Sequence, residues 1–205
     1  MGQLVSPKRS RKMNIADTKF RAREMMSPQM GNLILAYIIY SLIMYGVSTI
    51  TFGLAWLVVF GPLSLGMAGI LLKVDRAETI NFEEVFAGFN DFGRSLLAGV
   101  LTTLYIFLWS LLFLIPGIIA ALSYSMTFFI MKENPQMSAE DAITASKNLM
   151  MGHKAELFEL FISFIGWWIL SMLSFGIALI YATPYYYCAL TVFYQTLKHN
   201  QSKIS

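Results

Sequence analysis

The sequence predicts an all-α fold: a polytopic membrane bundle of six transmembrane helices paired as three hairpins. Three observations carry this. Only 13% of the 205 residues are charged and 57% are hydrophobic, whereas soluble domains carry roughly 25% charged residues. Every Lys, Arg, Asp and Glu lies outside three blocks, Met25–Leu72, Ser95–Met131 and Leu160–Leu197. Each block is about twice the ~20 helical residues that cross a hydrocarbon core roughly 30 Å thick, and each has breakers inside it.

Residues 1–24 read as a basic cytoplasmic N-terminal segment that opens a first interfacial helix. Its cations (Lys8, Arg9, Arg11, Lys12, Lys19, Arg21 and Arg23) precede a full hairpin, not the short apolar stretch and cleavage site of a signal peptide. Met1-Gly2 with Ser6 fits the myristoylation pattern, which is too short to carry an assignment. A membrane domain follows over 25–197, with hairpins at about 33–72, 96–131 and 158–197, and then a cytoplasmic tail, 198–205. In the first hairpin Gly46, Gly53 and Gly61-Pro62 offer bends between crossings at about 33–50 and 54–72. The second turns at Ile115-Pro116-Gly117, between about 96–114 and 117–131, the latter short enough to tilt or to begin before Pro116. The third, with crossings at about 158–175 and 178–197, is interrupted at Phe175-Gly176 and Thr183-Pro184. Cys188 stands alone in its block and reads as a small packing residue.

Two further helices, about 81–93 and 138–151, are amphipathic. Phe82, Val85, Phe86, Phe89 and Leu96 recur at helical spacing, as do Ala139, Ala142, Ile143, Leu149 and Met150. Such helices either lie in the membrane interface or pack together as a cytoplasmic cap. Six spans put the charged segments 1–24, 73–94, 132–159 and 198–205 on one side, and these hold all 15 Lys and Arg. The positive-inside rule makes that side cytoplasmic, with both termini inside.

The punctuation hints at a repeat. Asn14, Asn81 and Ser138 are good N-cap types, each with an acid three residues on (Asp17, Glu84, Asp141). Gly31-Asn32, Gly93-Arg94 and Gly152-His153 follow, then a span, a proline (Pro62, Pro116, Pro184), a second span and a lysine (Lys73, Lys132, Lys198). Used three times in one orientation, this unit implies a threefold parallel repeat about the membrane normal, although generic membrane grammar supplies part of it. Gly61, Pro62, Gly93, Pro116, Gly117, Gly152 and Pro184 are its structural landmarks. Gly117, Ala121 and Ser125, echoed by Ser64 and Ala68, form small-residue stripes that read as helix packing in preference to a ligand channel.

Chemistry is sparse. The chain has no Gly-rich phosphate loop, metal-ligand spacing, HExxH or Gly-x-Ser-x-Gly elbow, so the expectation is a non-enzyme without cofactor or metal. The blocks hold no acid or base to relay a proton, which argues against an ion-driven pump. A passive path lined by Thr102, Thr103, Tyr124, Thr127, Tyr185 and Gln195 remains open. A membrane enzyme would need a cytoplasmic cluster around Asp91, Arg94, Asp141 and His153. Residues 1–24 carry net +5, against net −2 for each of 73–94 and 132–159, so the tail can dock on those loops or on anionic lipid. Arg94, His153 and Lys154, each just before a span, are candidate contacts to lipid headgroups; snorkelling cations are the plainer reading.

Several stretches together resemble the bacterial integral-membrane family called domain of unknown function 975. They are Gly61-Pro-Leu-Ser-Leu-Gly66, Phe89-Asn-Asp-Phe-Gly-Arg94, Ile115-Pro-Gly117 with Ser123-Tyr-Ser-Met126, Ser146-Lys-Asn-Leu-Met150 leading into Gly152-His-Lys154, and Phe164-Ile-Gly-Trp167. The resemblance covers roughly residues 20–197; residues 1–12 extend further than the family leads one to expect. It implies a multi-pass protein of the bacterial cytoplasmic membrane, similar in general plan to the membrane part of some glycerophosphodiester phosphodiesterases, and brings no activity, substrate or catalytic residue. The resulting expectation is a non-enzymatic membrane protein that binds lipid, including anionic headgroups near the cytoplasmic face, or a partner membrane protein, and not nucleic acid. The alternative is a passive transporter or permease component for an amphipathic solute.

Overall fold

The structure, a computed structural model, describes residues 14–50 and 54–202, without the side chains of 47–50, 54, 55 and 202. Lys8, Arg9, Arg11, Lys12, the Met1-Gly2 pattern, Gly53 and Lys203 lie outside the described residues. The fold is all-helical. Its elements are α1 (Ile15–Met26), a 3-10 turn (Ser27–Gln29), α2 (Met30–Ile50), α3 (Leu54–Asp75), a 3-10 helix (Phe82–Asp91), α4 (Phe92–Leu112), α5 (Leu114–Tyr124), α6 (Thr127–Glu133), α7 (Ala139–Leu149), α8 (Lys154–Ile162), α9 (Ile165–Leu173) and α10 (Ile177–Ser202). Six helical stretches are long and apolar enough to cross a membrane: Ile15–Gly46, Trp56–Asp75, Phe82–Leu112, Leu114–Glu133, Lys154–Leu173 and Ile177–Gln201.

The spans end where local chemistry stops them, which is not always where the prolines stand. Pro62 and Pro184 lie inside α3 and α10, so neither separates two crossings as the repeat unit expects. A helix tolerates proline there when neighbouring elements compensate the lost hydrogen bond. Pro116 sits in the first turn of α5, where no intrahelical partner for its nitrogen is needed. The chain reverses one turn earlier, at the extended Phe113 (φ −164°). The third hairpin turns at Phe175-Gly176, both with positive φ (50° and 88°), a conformation that glycine adopts without Cβ strain. Gly152 (φ 80°) likewise ends the α7 region, whereas Gly31 and Gly93 are helical and do not terminate anything. Of the three expected N-caps, Asn14 accepts from the Ala16 N–H and Ser138 from the Asp141 N–H; the Asn81 side chain makes no cap bond.

α3 is the hub. It packs on α2, the 3-10 helix, α4, α6 and α10. Along one side it meets the following chain backbone to backbone. A Cβ on Gly61 would collide with the Ser95 carbonyl, one on Gly66 with the Val85 carbonyl, and one on Gly88 with the Pro62 carbonyl. The segment 82–99 therefore lies in a groove that Gly61, Pro62 and Gly66 open, and the 3-10 helix is part of the bundle and not a separate cap. Phe82, Phe86, Phe89 and Phe92 point outward along it, with adjacent rings of the last three 6.3–6.4 Å apart.

α1 also packs against the spans, lying along α10. Lys19 Nζ donates to the Ser163 carbonyl (2.8 Å) at the end of α8 and sits 4.5 Å from the Phe164 ring centroid. Tyr185 Oη donates to the Lys19 carbonyl (3.2 Å). The basic segment, where described, is thus docked on protein through Lys19. Its continuation is tied down as well: Gln29 and Asn32 bond the loop at Glu78 and Ile80.

Candidate functional site

Packing is uneven along the bundle. The largest fully buried side chains include Met26, Ile70, Leu71, Met131, Met150, Leu157 and Phe193, toward the charged ends. At the uncharged ends Leu111–Ile115, Met172, Leu173, Phe175 and Ile177 are exposed. Between the two regimes the helices enclose a cavity of about 270 Å³.

Five spans build its wall. α2 supplies Tyr37 and Tyr40, α3 supplies Phe60, Ser64, Met67, Ala68 and Leu71, and α4 supplies Thr102 and Ile106. The α5–α6 span supplies Ala121, Tyr124, Ser125, Phe128 and Phe129, and α10 supplies Tyr186, Tyr187 and Leu190. The lining residues nearest the charged ends, Met67, Ala68, Leu71, Phe129 and Leu190, are buried, while Phe60 and Ile106 are half-buried and Ala121 is exposed. The cavity is therefore closed toward the charged face and open toward the uncharged one.

The floor is braced from beneath. Phe129 stacks on Tyr194 (5.3 Å between centroids), and Tyr194 Oη donates to Glu133 Oε2 (2.6 Å). Glu133 also accepts from Lys198 Nζ (2.7 Å) and faces Arg76 at 3.6 Å. One carboxylate thus joins the charged ends of α3, α6 and α10. Charge-assisted bonds of this kind are the stronger class.

The wall is aromatic and hydroxylic. Tyr37 and Tyr187 face each other at 5.2 Å, and Phe60 meets Phe128 edge-on at 5.8 Å, separations typical of favourable ring pairs. Tyr40 interacts with the Ser64 side chain, and Ser125 Oγ donates to the Leu122 carbonyl (2.8 Å). Tyr37 Oη and Thr102 Oγ1 are buried with no hydrogen-bond partner. Buried polar groups are nearly always paired, so two orphans in one cavity wall need a reason.

The sequence-level candidates are distributed differently. Arg94 Nε bonds Asp91 Oδ2 (2.6 Å), and its Nη1 donates to the Asn134 and Met137 carbonyls (3.0 and 2.8 Å). That guanidinium fastens the start of α4 to the α6–α7 loop and is not offered to a headgroup. His153 Nδ1 lies 3.0 Å from Glu156 Oε2, while Lys154 is half-exposed at the start of α8. Asp141 is engaged by Ser138, so it and His153 have different partners from the Asp91–Arg94 pair. Among the described residues no group of three or more His, Cys, Asp or Glu is placed to hold a metal.

Of the suggested polar path, only Thr102 and Tyr124 line the cavity. Thr127 Oγ1 bonds the Tyr124 carbonyl (2.8 Å) and Tyr185 reaches Lys19; Thr103 and Gln195 are not in the lining. The small-residue stripes divide: Gly117 packs against Ser110, but Ser64, Ala68, Ala121 and Ser125 line the cavity. Small side chains on facing helices leave space when larger aromatics hold the backbones apart. Sequence reasoning does not single out Tyr37, Tyr40, Tyr186 or Tyr187. Their signal was present as Tyr37-x-x-Tyr40 and Tyr185-Tyr186-Tyr187 inside charge-free blocks.

Residues 111–201 match the family model described as Protein of unknown function (DUF975). This part of the chain is similar to that family. No curated protein and no solved structure matches the chain. The matched region runs from the last turn of α4 through α10 and supplies one side of the cavity, Ala121 to Phe129 with Tyr186 to Leu190. Two of the stretches that carry the resemblance meet inside it. Ser146 Oγ of α7 donates to the Ser123 carbonyl (2.8 Å) and accepts from the Met126 N–H (3.2 Å), stitching the break between α5 and α6. A third, Phe164-Ile-Gly-Trp167, seats Phe164 against Tyr185 (5.0 Å) and Tyr186 (5.4 Å). The α2–α4 wall precedes the DUF975 match.

Proposed function

We propose that this protein is a non-enzymatic membrane protein that binds a lipid-like amphipathic molecule inside its helical bundle. The observation that carries the reading is the cavity, whose aromatic wall contains two buried hydroxyl groups, Tyr37 Oη and Thr102 Oγ1, without partners. Largely apolar pockets with a few placed polar groups are the usual form of a small-molecule site. Both termini are read as cytoplasmic, in a bacterial plasma membrane, on the strength of the charge distribution. The three helix-plus-hairpin units are read as a parallel repeat supported by the two working N-caps, though the prolines occupy different places in each. Purification in mild detergent followed by native mass spectrometry tests the function: a stoichiometric bound amphipath is expected. Its absence from protein that remains folded would remove the basis of the proposal.

The second reading is a passive permease for the same class of solute. The braced floor at Phe129, Tyr194 and Glu133 favours holding over passage, because transit requires that brace to part. Under the binding reading, reconstituted vesicles show no flux of a fluorescent amphipath above protein-free controls; saturable flux would favour the permease.

A further inference from the structure

The chemistry of the wall narrows the occupant, resting on the reading of the cavity as a binding site. None of its lining residues carries a charge. An ionised headgroup drawn into such a site would lose its hydration and find no counter-charge, so it would neutralise or stay outside. The polar groups offered are instead hydroxyls. Tyr40 with Ser64, and Ser125 with Leu122, already have partners. Tyr37 (5% exposed) and Thr102 (6%) do not. A hydroxyl both donates and accepts, and its complement is a neutral hydroxyl or carbonyl oxygen. The volume, about 270 Å³, lies at or below the lower end of drug-sized pockets, about 300–1,000 Å³, and suits one chain, not the two of a phospholipid. The open end lies at Phe60, Ile106 and Ala121, facing away from the charged segments.

We infer that the cavity takes an uncharged, single-chain amphipath whose polar group is a hydroxyl or carbonyl, entering from the uncharged half of the bundle between α3, α4 and α5. The occupant lays its chain against the ring faces, and a small turn of the Tyr37 and Thr102 side chains, whose oxygens are shut off from the void in the empty protein, lets both hydrogen-bond its polar group.

The test uses full-length protein in zwitterionic nanodiscs, with a diazirine-bearing medium-chain fatty alcohol and the matching alkanesulfonic acid, which cannot shed its charge at neutral pH. Crosslinked peptides are mapped by mass spectrometry. The alcohol is expected to label the α2, α5 and α10 segments that carry Tyr37, Tyr124 and Tyr187, several-fold more than the acid. Ala121→Trp at the exposed rim should abolish this labelling without threatening the fold, and Ala68→Phe should do so from within. The Tyr37→Phe, Thr102→Val pair is a sharper control. Removing two unpartnered hydroxyls leaves the empty protein at least as heat-stable, while labelling by the alcohol falls several-fold. Equal labelling by acid and alcohol overturns the uncharged-head inference and leaves the binding reading intact. No labelling by either probe, or labelling that both cavity-blocking variants leave unchanged, overturns the binding reading too. Labelling unaffected by the hydroxyl pair overturns the assignment of Tyr37 and Thr102.

Discussion

At Gly88 the chain comes so close to α3 that any side chain would drive into the Pro62 carbonyl, whereas at Gly93, five residues on, a Cβ would meet nothing within 4 Å. Both are glycines of one amphipathic stretch, and nothing local in the sequence separates them. The structure predicts opposite outcomes. Gly88→Ala should lower thermal stability in detergent by about 1–3 kcal/mol, as overpacking against backbone does. Gly93→Ala should be neutral or stabilising by up to about 1 kcal/mol, from helix propensity. Parallel melting curves check both. Arg94 makes the same point for charge. Its position before a span suggested a headgroup contact, but its guanidinium is 17% exposed and holds Asp91 and two loop carbonyls. Arg94→Gln should therefore cost about 1.5–3 kcal/mol, the range for hydrogen bonds to charged groups, and should do so equally in anionic and zwitterionic lipid. A loss seen only in anionic lipid would restore the headgroup role.

Among the elements, the break between α5 and α6 shows how a span is completed from outside itself. Ser125 and Met126 interrupt the helix, and the Met126 N–H finds its partner in Ser146 of α7. Ser146→Ala removes both bonds of a fully buried hydroxyl and leaves an amide unsatisfied, at a cost of about 1–3 kcal/mol. Hydrogen exchange at the Met126 amide should accelerate well before global unfolding; unchanged protection would show that the stitch is dispensable. The sequence located this region as two short runs with no visible link. The existence of six helices long enough to cross a membrane was legible because it depends only on apolar length. The position of the turns was partly legible: the fourth span does begin before Pro116, at Leu114, and Phe175-Gly176 does turn. Pro62 misled because a proline inside a membrane helix looks, in sequence, the same as one between helices.

For the whole molecule, the decisive feature is the contrast between a tightly packed charged half and an open uncharged half. Glu133 ties the charged half together, with 9% of its side chain exposed and contacts to Tyr194, Lys198 and Arg76. Glu133→Gln keeps the shape and removes the charge. It should lower stability by about 1–3 kcal/mol, since its cationic partners are half-exposed and solvent discounts the pairs. It should also raise the reactivity of a cysteine placed at Leu190 on the cavity floor; unchanged reactivity would mean that Glu133 does not brace the floor. Sidedness has its own check in a Cys188→Ser background. Cysteines at Asp91 and His153 should react only after permeabilisation, and one at Phe175, 98% exposed, should react from outside. Labelling at Asp91 in intact cells would reverse the topology.

By itself, the amino-acid order marked a multi-pass membrane protein with six stretches long and apolar enough to cross, and gathered its charges between them, because each follows from the length and placement of uncharged runs. It also marked stretches within 111–201 that fall in the region similar to DUF975, without saying that Ser146 reaches Ser123; nor did it say that Gly61 and Gly66 make a groove. Only the tertiary structure decided where small residues permit contact and where they leave space. Gly117 closes on Ser110, while Ser64, Ala68, Ala121 and Ser125, the same residue types at the same spacing, open a cavity. The difference lies in what faces them: aromatic side chains from α2, α6 and α10 prop the helices apart there, and which helices face one another is set by packing across the fold, beyond the reach of local pattern.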